Sequence, residues 1–211
     1  SIYKKFFFFL LSFCVFSIYA NDISPLSKVE ITSNNSNTGF AKLGDTITLN
    51  VSSNNNINIV YGGSKQGLMG IVSNKSLSLG NKVTGVITFD LVGKELENTN
   101  ISKIYKVESM KERKAKMEEL SDAFIALPGG YGTFEEIIDV IASSQIGYHK
   151  KPCAFVNING YYDKLIEFFY SCSNSGFMDR RFVDMLIVSD NIDEIIEKIK
   201  NYEAPKAKWD K

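Results

Sequence analysis

Ala123-Phe124-Ile125-Ala126-Leu127-Pro128-Gly129-Gly130-Tyr131-Gly132-Thr133-Phe134-Glu135-Glu136 is the stretch that decides the fold. Five apolar residues bounded by Pro and Gly predict a buried strand over 123–127. Three glycines follow within four residues, and the spacing after them predicts a helix over 133–145. A strand that runs through glycines into a helix marks the ligand edge of an open α/β sheet, at the carboxyl end of the strand. Glycines let the backbone approach an anion closely, and free amides at a helix start, with the positive end of the helix dipole, favour a phosphate. Thr133 is expected to cap the helix or to offer its hydroxyl to a phosphate oxygen. No Gly-Lys-Ser/Thr follows, so this is neither a P-loop nor the usual dinucleotide fingerprint. Glu136 lies one turn into the helix. Beside a sugar's anomeric carbon it can activate water or stabilise an oxocarbenium-like transition state; a plain first-turn acid favoured by the helix dipole is the equal alternative.

Upstream, Tyr61-Gly62-Gly63-Ser64-Lys65-Gln66-Gly67-Leu68-Met69-Gly70 repeats the strand–glycine–helix logic. Two such turns in one sheet predict a shared crevice between them. Met110 to Met117 is a charged helix in which Arg113 offers a planar fork for a phosphate or carboxylate and Lys114 a neighbouring point charge. A solvated helix face is the commoner reading of such a run. From Ile57 on, strands expected at 57–61, 82–87, 102–107, 123–127, 152–158 and 186–188 alternate with helices at 68–79, 110–120, 133–145, 161–175 and 192–202. That alternation predicts a mostly parallel sheet covered on both faces.

The N-terminal part reads differently. Residues 1–20 carry Lys4-Lys5, an apolar run from Phe6 to Ile18 and a small residue, Ala20, which is the pattern of a secretory signal peptide; a buried strand around Phe13–Phe16 is the alternative. Residues 21–56 are rich in Asn, Ser and Thr, with β-favouring pieces at 28–32 and 46–51. The expected division is therefore a leader (1–20), an atypical β-containing segment (21–56) and a nucleotide-binding α/β unit (57–211).

Composition excludes several classes. Formal net charge is zero, so no global basic field points to nucleic acid. Three cysteines, Cys14, Cys153 and Cys172, form no C-x-x-C pair, which argues against a disulfide framework or a zinc site. His149, the one histidine, sits in a loop-like flank, so a Ser-His-Asp or metal–histidine mechanism has little support. Neither a metal nor a cofactor is expected.

The segment 57–205 resembles the LONELY GUY proteins, the cytokinin-activating phosphoribohydrolases. Pro128 to Glu136 fits their P-G-G-x-G-T-x-x-E signature. Tyr61-Gly62-Gly63 with Gly67-Leu68-Met69-Gly70 follows a second motif, with Ser64 in place of a glycine, and Met110, Arg113-Lys114 and Met117 follow a third. The resemblance implies a Rossmann-like, homodimeric, cytoplasmic hydrolase that splits an N6-modified adenosine 5′-monophosphate into free base and ribose 5-phosphate. Carried over by position, it implies Arg113 and Glu136 as the catalytic pair. It makes Gly129, Gly130, Tyr131, Gly132 and Thr133 the phosphate-holding bend, with Gly62 and Gly63 also at the substrate. Lys114 is implied to assist, and Glu95 and Glu135 to touch substrate. Relatives often carry a lysine decarboxylase label, yet no lysine here is placed to form a cofactor Schiff base. Family members open with a strand carrying Cys-Gly-Ser-Ser and a long helix. Cys14-Val15-Phe16 resembles that strand without the Gly-Ser-Ser loop, so the first βα unit is atypical or replaced. The alternative function is a nucleotide monophosphate-binding protein that lost catalysis with that unit.

Overall fold

A computed structural model describes residues 15–19, 26–33, 47–53, 57–92, 94 and 97–210, the first three segments as backbone. The strands are β1 (Val15–Tyr19), β2 (Leu26–Ser33), β3 (Ile47–Ser53), β4 (Asn58–Tyr61), β5 (Val83–Thr88), β6 (Lys103–Val107), β7 (Phe124–Ala126), β8 (Cys153–Val156) and β9 (Ile187–Ser189). The helices are α1 (Gly67–Ser78), α2 (Phe89–Val92), α3 (Met110–Glu119), α4 (Tyr131–Gln145), α5 (Asp163–Asn174), α6 (Arg181–Asp184) and α7 (Ile192–Lys200). Seven strands form one sheet in the order β6-β5-β4-β1-β7-β8-β9, and β2 with β3 forms a separate antiparallel pair.

Parallel pairing holds on both wings, β4–β5–β6 and β7–β8–β9, as expected of strands joined by helical crossovers. The middle is different. β1 lies between β4 and β7 and runs antiparallel to both, with Ser17 opposite Val60 on one side and Phe124 on the other. The sheet thus takes its central strand from residues that precede 57, within the stretch that reads as a leader. The β2–β3 pair lies against α1 and α7.

Side chains alternate across the sheet, as the strand period requires. Ile125 and Leu127 point with Ala154 and Val156 toward Met69 and Val72 of α1 and Ile195 and Ile196 of α7. Phe124 and Ala126 point with Cys153 and Phe155 to the other face, where Ile137 and Val140 of α4 and Tyr162 close over them. Both faces are therefore dry, which is why these strands read as unbroken apolar runs. Sequence-expected ends shift by a few residues. The largest shift has consequences: α4 begins at Tyr131, with Gly130 as its N-cap, so Thr133 is not the cap but a fully buried first-turn residue. The short helices α2 and α6 carried no periodic signal. No helix among the described residues is long and apolar enough to cross a membrane.

Candidate active site

The carboxyl ends of β4, β5 and β7 bring two charged side chains together inside the fold. Ser109 caps α3, its hydroxyl accepting from the Glu112 amide at 3.2 Å. One turn later Arg113 turns inward and is 1% exposed, the largest fully buried side chain described. Its Nε donates to the Val86 carbonyl of β5 at 3.0 Å and its Nη1 donates to Glu136 Oε1 at 2.8 Å. Glu136, in the second turn of α4, is 4% exposed. Two buried charges cost several kcal/mol each in lost hydration, on the order of what their attraction returns. A pair that adds little net stability, set at the ligand edge of the sheet, is a candidate for chemistry.

Oε2 of Glu136 is buried and has no hydrogen-bond partner among the described residues. Burial pushes the carboxyl up to about 7, against the opposing pull of the Arg113 guanidinium. Glu136 also lines a cavity of about 270 Å³ between α3 and α4. Met117, Phe124 and Val140 form its buried lining, and Lys111, Lys114, Ala115, Glu118 and Asp139 complete it.

Gly62 is shaped by the same arginine. A Cβ there would fall 2.0 Å from Arg113 Nη2, so only glycine leaves room for the end of the guanidinium against the loop after β4. Gly63 has φ +77° and packs on Ile87, and a Cβ on Gly85 would meet the Gly63 Cα at 2.8 Å. The bend after β7 is open: Gly130 and Tyr131 are exposed and Gly129 and Gly132 half-buried. Helical bonding in α4 begins with Phe134 N–H on the Gly130 carbonyl at 3.0 Å, so the amides before it stand outside the helical ladder.

Lys114 is held by Glu135 and by Asp139, the latter at 3.0 Å. Asp139 was not expected at the site; its spacing of four from Glu135 on one helix face was the available signal. Val86 contributes only a carbonyl, for which a sequence carries no sign. His149 is structural: Nδ1 accepts from the Lys151 amide at 3.1 Å, leaving Nε2 to donate to the Val140 carbonyl at 2.9 Å. Burial lowers its pKa and Phe124 packs on its ring. Glu95 lies outside the described residues.

Residues 69–199 match a family model described as possible lysine decarboxylase. LOG4 of Arabidopsis thaliana, a cytokinin riboside 5′-monophosphate phosphoribohydrolase, is 41% identical over 147 residues, 70% of this chain and 68% of its own length. LOG2 of the same plant is 39% identical over 70% of this chain and 69% of its own length. The chain belongs to this family. The probable cytokinin riboside 5′-monophosphate phosphoribohydrolase LOGL2 of Oryza sativa subsp. japonica is 40% identical over 161 residues, 74% of this chain and 66% of its own length. The chain spans about two thirds of the length of the curated relatives it matches.

Within the family, the decarboxylase description and the LOG names imply different chemistry, and Lys114 bears on the choice. Burial works against its charge, but the Glu135 and Asp139 carboxylates outweigh it and hold the ammonium above its usual pKa. An amine kept protonated is a poor nucleophile for a Schiff base. The arginine–glutamate pair depends instead on Gly62. In Gly62→Ala the guanidinium must leave its seat and Glu136 is left buried without its partner, so kcat is expected to fall about a hundredfold, as when one preorganised electrostatic group is lost, and the melting temperature to fall with it. Steady-state kinetics on the purified variant check this; unchanged kcat would mean that Arg113 works from elsewhere.

Proposed function

We propose that the chain hydrolyses the N-glycosidic bond of an adenosine 5′-monophosphate, N6-modified in the preferred substrate, to free base and ribose 5-phosphate. The observation that carries this reading is the buried Arg113–Glu136 pair at the ligand edge of the sheet, with Glu136 Oε2 left without a hydrogen-bond partner among the described residues. In the proposed reaction the amides of Gly129, Gly130, Tyr131, Gly132 and Thr133 hold the 5′-phosphate, with Gly62 and Gly63 forming the opposite wall. The C1′–N9 bond breaks and its electron pair leaves with the base. A water oxygen bonds to C1′, and its proton passes to Glu136 Oε2 and on to the departing base. Glu136 also stabilises the positive charge that builds at C1′. Arg113 fixes the carboxylate by Oε1 and favours its ionised form.

On the family resemblance we further propose a cytoplasmic homodimer, with Lys114, Glu135 and Glu95 contacting substrate. Lysines and acids together around the α3–α4 cavity suit a self-complementary contact between two copies. The test is incubation with AMP and with isopentenyladenosine monophosphate, following free base. Nucleotide binding without base release would instead leave the chain a binding protein.

The carboxyl at about 7 sets a pH dependence. Glu136 must be ionised to take a proton, so kcat/KM is expected to drop as pH falls through about 7, about tenfold per unit for one essential base. Arg113→Met removes the cation that lowers the Glu136 pKa, so the same limb moves to higher pH. A pH–rate profile of both proteins reads the shift; an Arg113→Met limb at or below the wild-type position counts against the pairing.

A further inference from the structure

The loop after β8 places two tyrosines under the glycine bend. Asn159 (φ +52°) and Gly160 (φ +70°) both take left-handed backbone there, and a Cβ on Gly160 would strike Asp163 Oδ2 at 2.3 Å. Asn157 fixes the turn: its amide donates to the Ser189 carbonyl at 2.8 Å, its Oδ1 accepts from the Tyr162 amide at 2.7 Å, and its Nδ2 donates to Asp163 Oδ1 at 2.7 Å. Tyr162 is fully buried, edge-on to Phe155 with ring centres 4.8 Å apart, and its hydroxyl donates to the Leu127 carbonyl at 2.5 Å. Tyr161 stands at 88° to Tyr162, is 38% exposed, and its hydroxyl donates to the Gly129 carbonyl at 2.6 Å.

A trans peptide sets its C=O and N–H in opposite directions. Holding the Gly129 carbonyl toward Tyr161 therefore turns the Gly130 N–H away from it. Two links earlier the Leu127–Pro128 peptide has no N–H to orient, although Tyr162 holds its carbonyl. Glycine on both sides of the Gly129–Gly130 link leaves this plane the easiest in the bend to rotate. We propose that Tyr161 is a positioning residue: its hydroxyl locks the Gly129–Gly130 peptide so that the Gly130 amide faces the substrate phosphate. This rests on the phosphoribohydrolase reading above.

The test compares Tyr161→Phe with wild type on AMP and on adenosine, which lacks the phosphate, and measures AMP and inorganic phosphate binding by calorimetry. The ring and its packing on Tyr162 survive the change. Loss of one oriented anion contact is expected to raise KM for AMP, and weaken phosphate binding, by about tenfold. By contrast kcat stays within about threefold, the acid limb of the pH profile stays in place, and any adenosine hydrolysis is unchanged. Equal losses on AMP and adenosine, or a wild-type phosphate affinity in Tyr161→Phe, overturn the inference while leaving the reaction intact. A wild-type protein that neither binds nor cleaves AMP overturns both. A wild-type protein that binds AMP without cleaving it still reads Tyr161 through the dissociation constants, where equality refutes its role.

Discussion

Glu136→Gln is expected to lower kcat for base release by about a thousandfold, the scale of a lost general base, while AMP remains bound. The amide keeps an oxygen where Oε1 accepts from Arg113 Nη1 at 2.8 Å, so the guanidinium retains a partner. It loses the two functions that need negative charge: taking a proton on the unpaired Oε2 and opposing the cation that develops at C1′. The pH dependence should vanish along with the rate, because the group that titrates near 7 is gone. Single-turnover release of adenine from AMP, beside calorimetric AMP affinity, separates these effects. A Gln variant that keeps even a tenth of wild-type kcat removes Glu136 from the chemistry. Glu119→Gln is the matched control, since that carboxylate is exposed, bound to Lys116 and outside the proposed site.

The second large effect concerns stability. Ser17 sits at the midpoint of β1, opposite Val60 and Phe124 on its two sides. Proline there removes an amide from a strand paired on both edges and places a ring where the ladder has no room. The expected cost is about 3 kcal/mol or more, a large part of the roughly 5–15 kcal/mol that holds a domain. For a chain of this size that is a fall in melting temperature of about 10 °C. Thermal melts of the full chain with Ser17→Pro and Ser17→Ala read it. Identical melts for both would show that the sheet holds together without β1.

From Leu68 onward most of the architecture was legible. Strands such as Ala123–Leu127 and Pro152–Ile158 are buried on both faces, and helices such as 192–202 show one apolar side, so period and length separate them. The pairing of Arg113 with Glu136 was legible only through family resemblance: charges spaced along α3 look alike whether they face water or the core. Lys114 shows the limit of that route, since the carboxylates that hold it come from a helix folded against it. Thr133 was misplaced as a cap because Gly130 supplies the extended residue first, and a cap is set by backbone angle, not side chain alone. The N-terminal ambiguity has a physical root. A leader and a central strand are both short continuous apolar runs, and neither direction nor partner is written into such a run.

The reversed central strand carries a cost in time. It is made before both of its neighbours, which follow roughly 40 and roughly 110 residues later, and at about 5–20 residues per second that means on the order of several seconds before both flanks exist. Throughout that interval a greasy ribbon waits beside the tunnel mouth with its amides unclaimed. Until β7 is made, those amides are open to any competing partner, so the yield of native protein is expected to depend on the pace of synthesis.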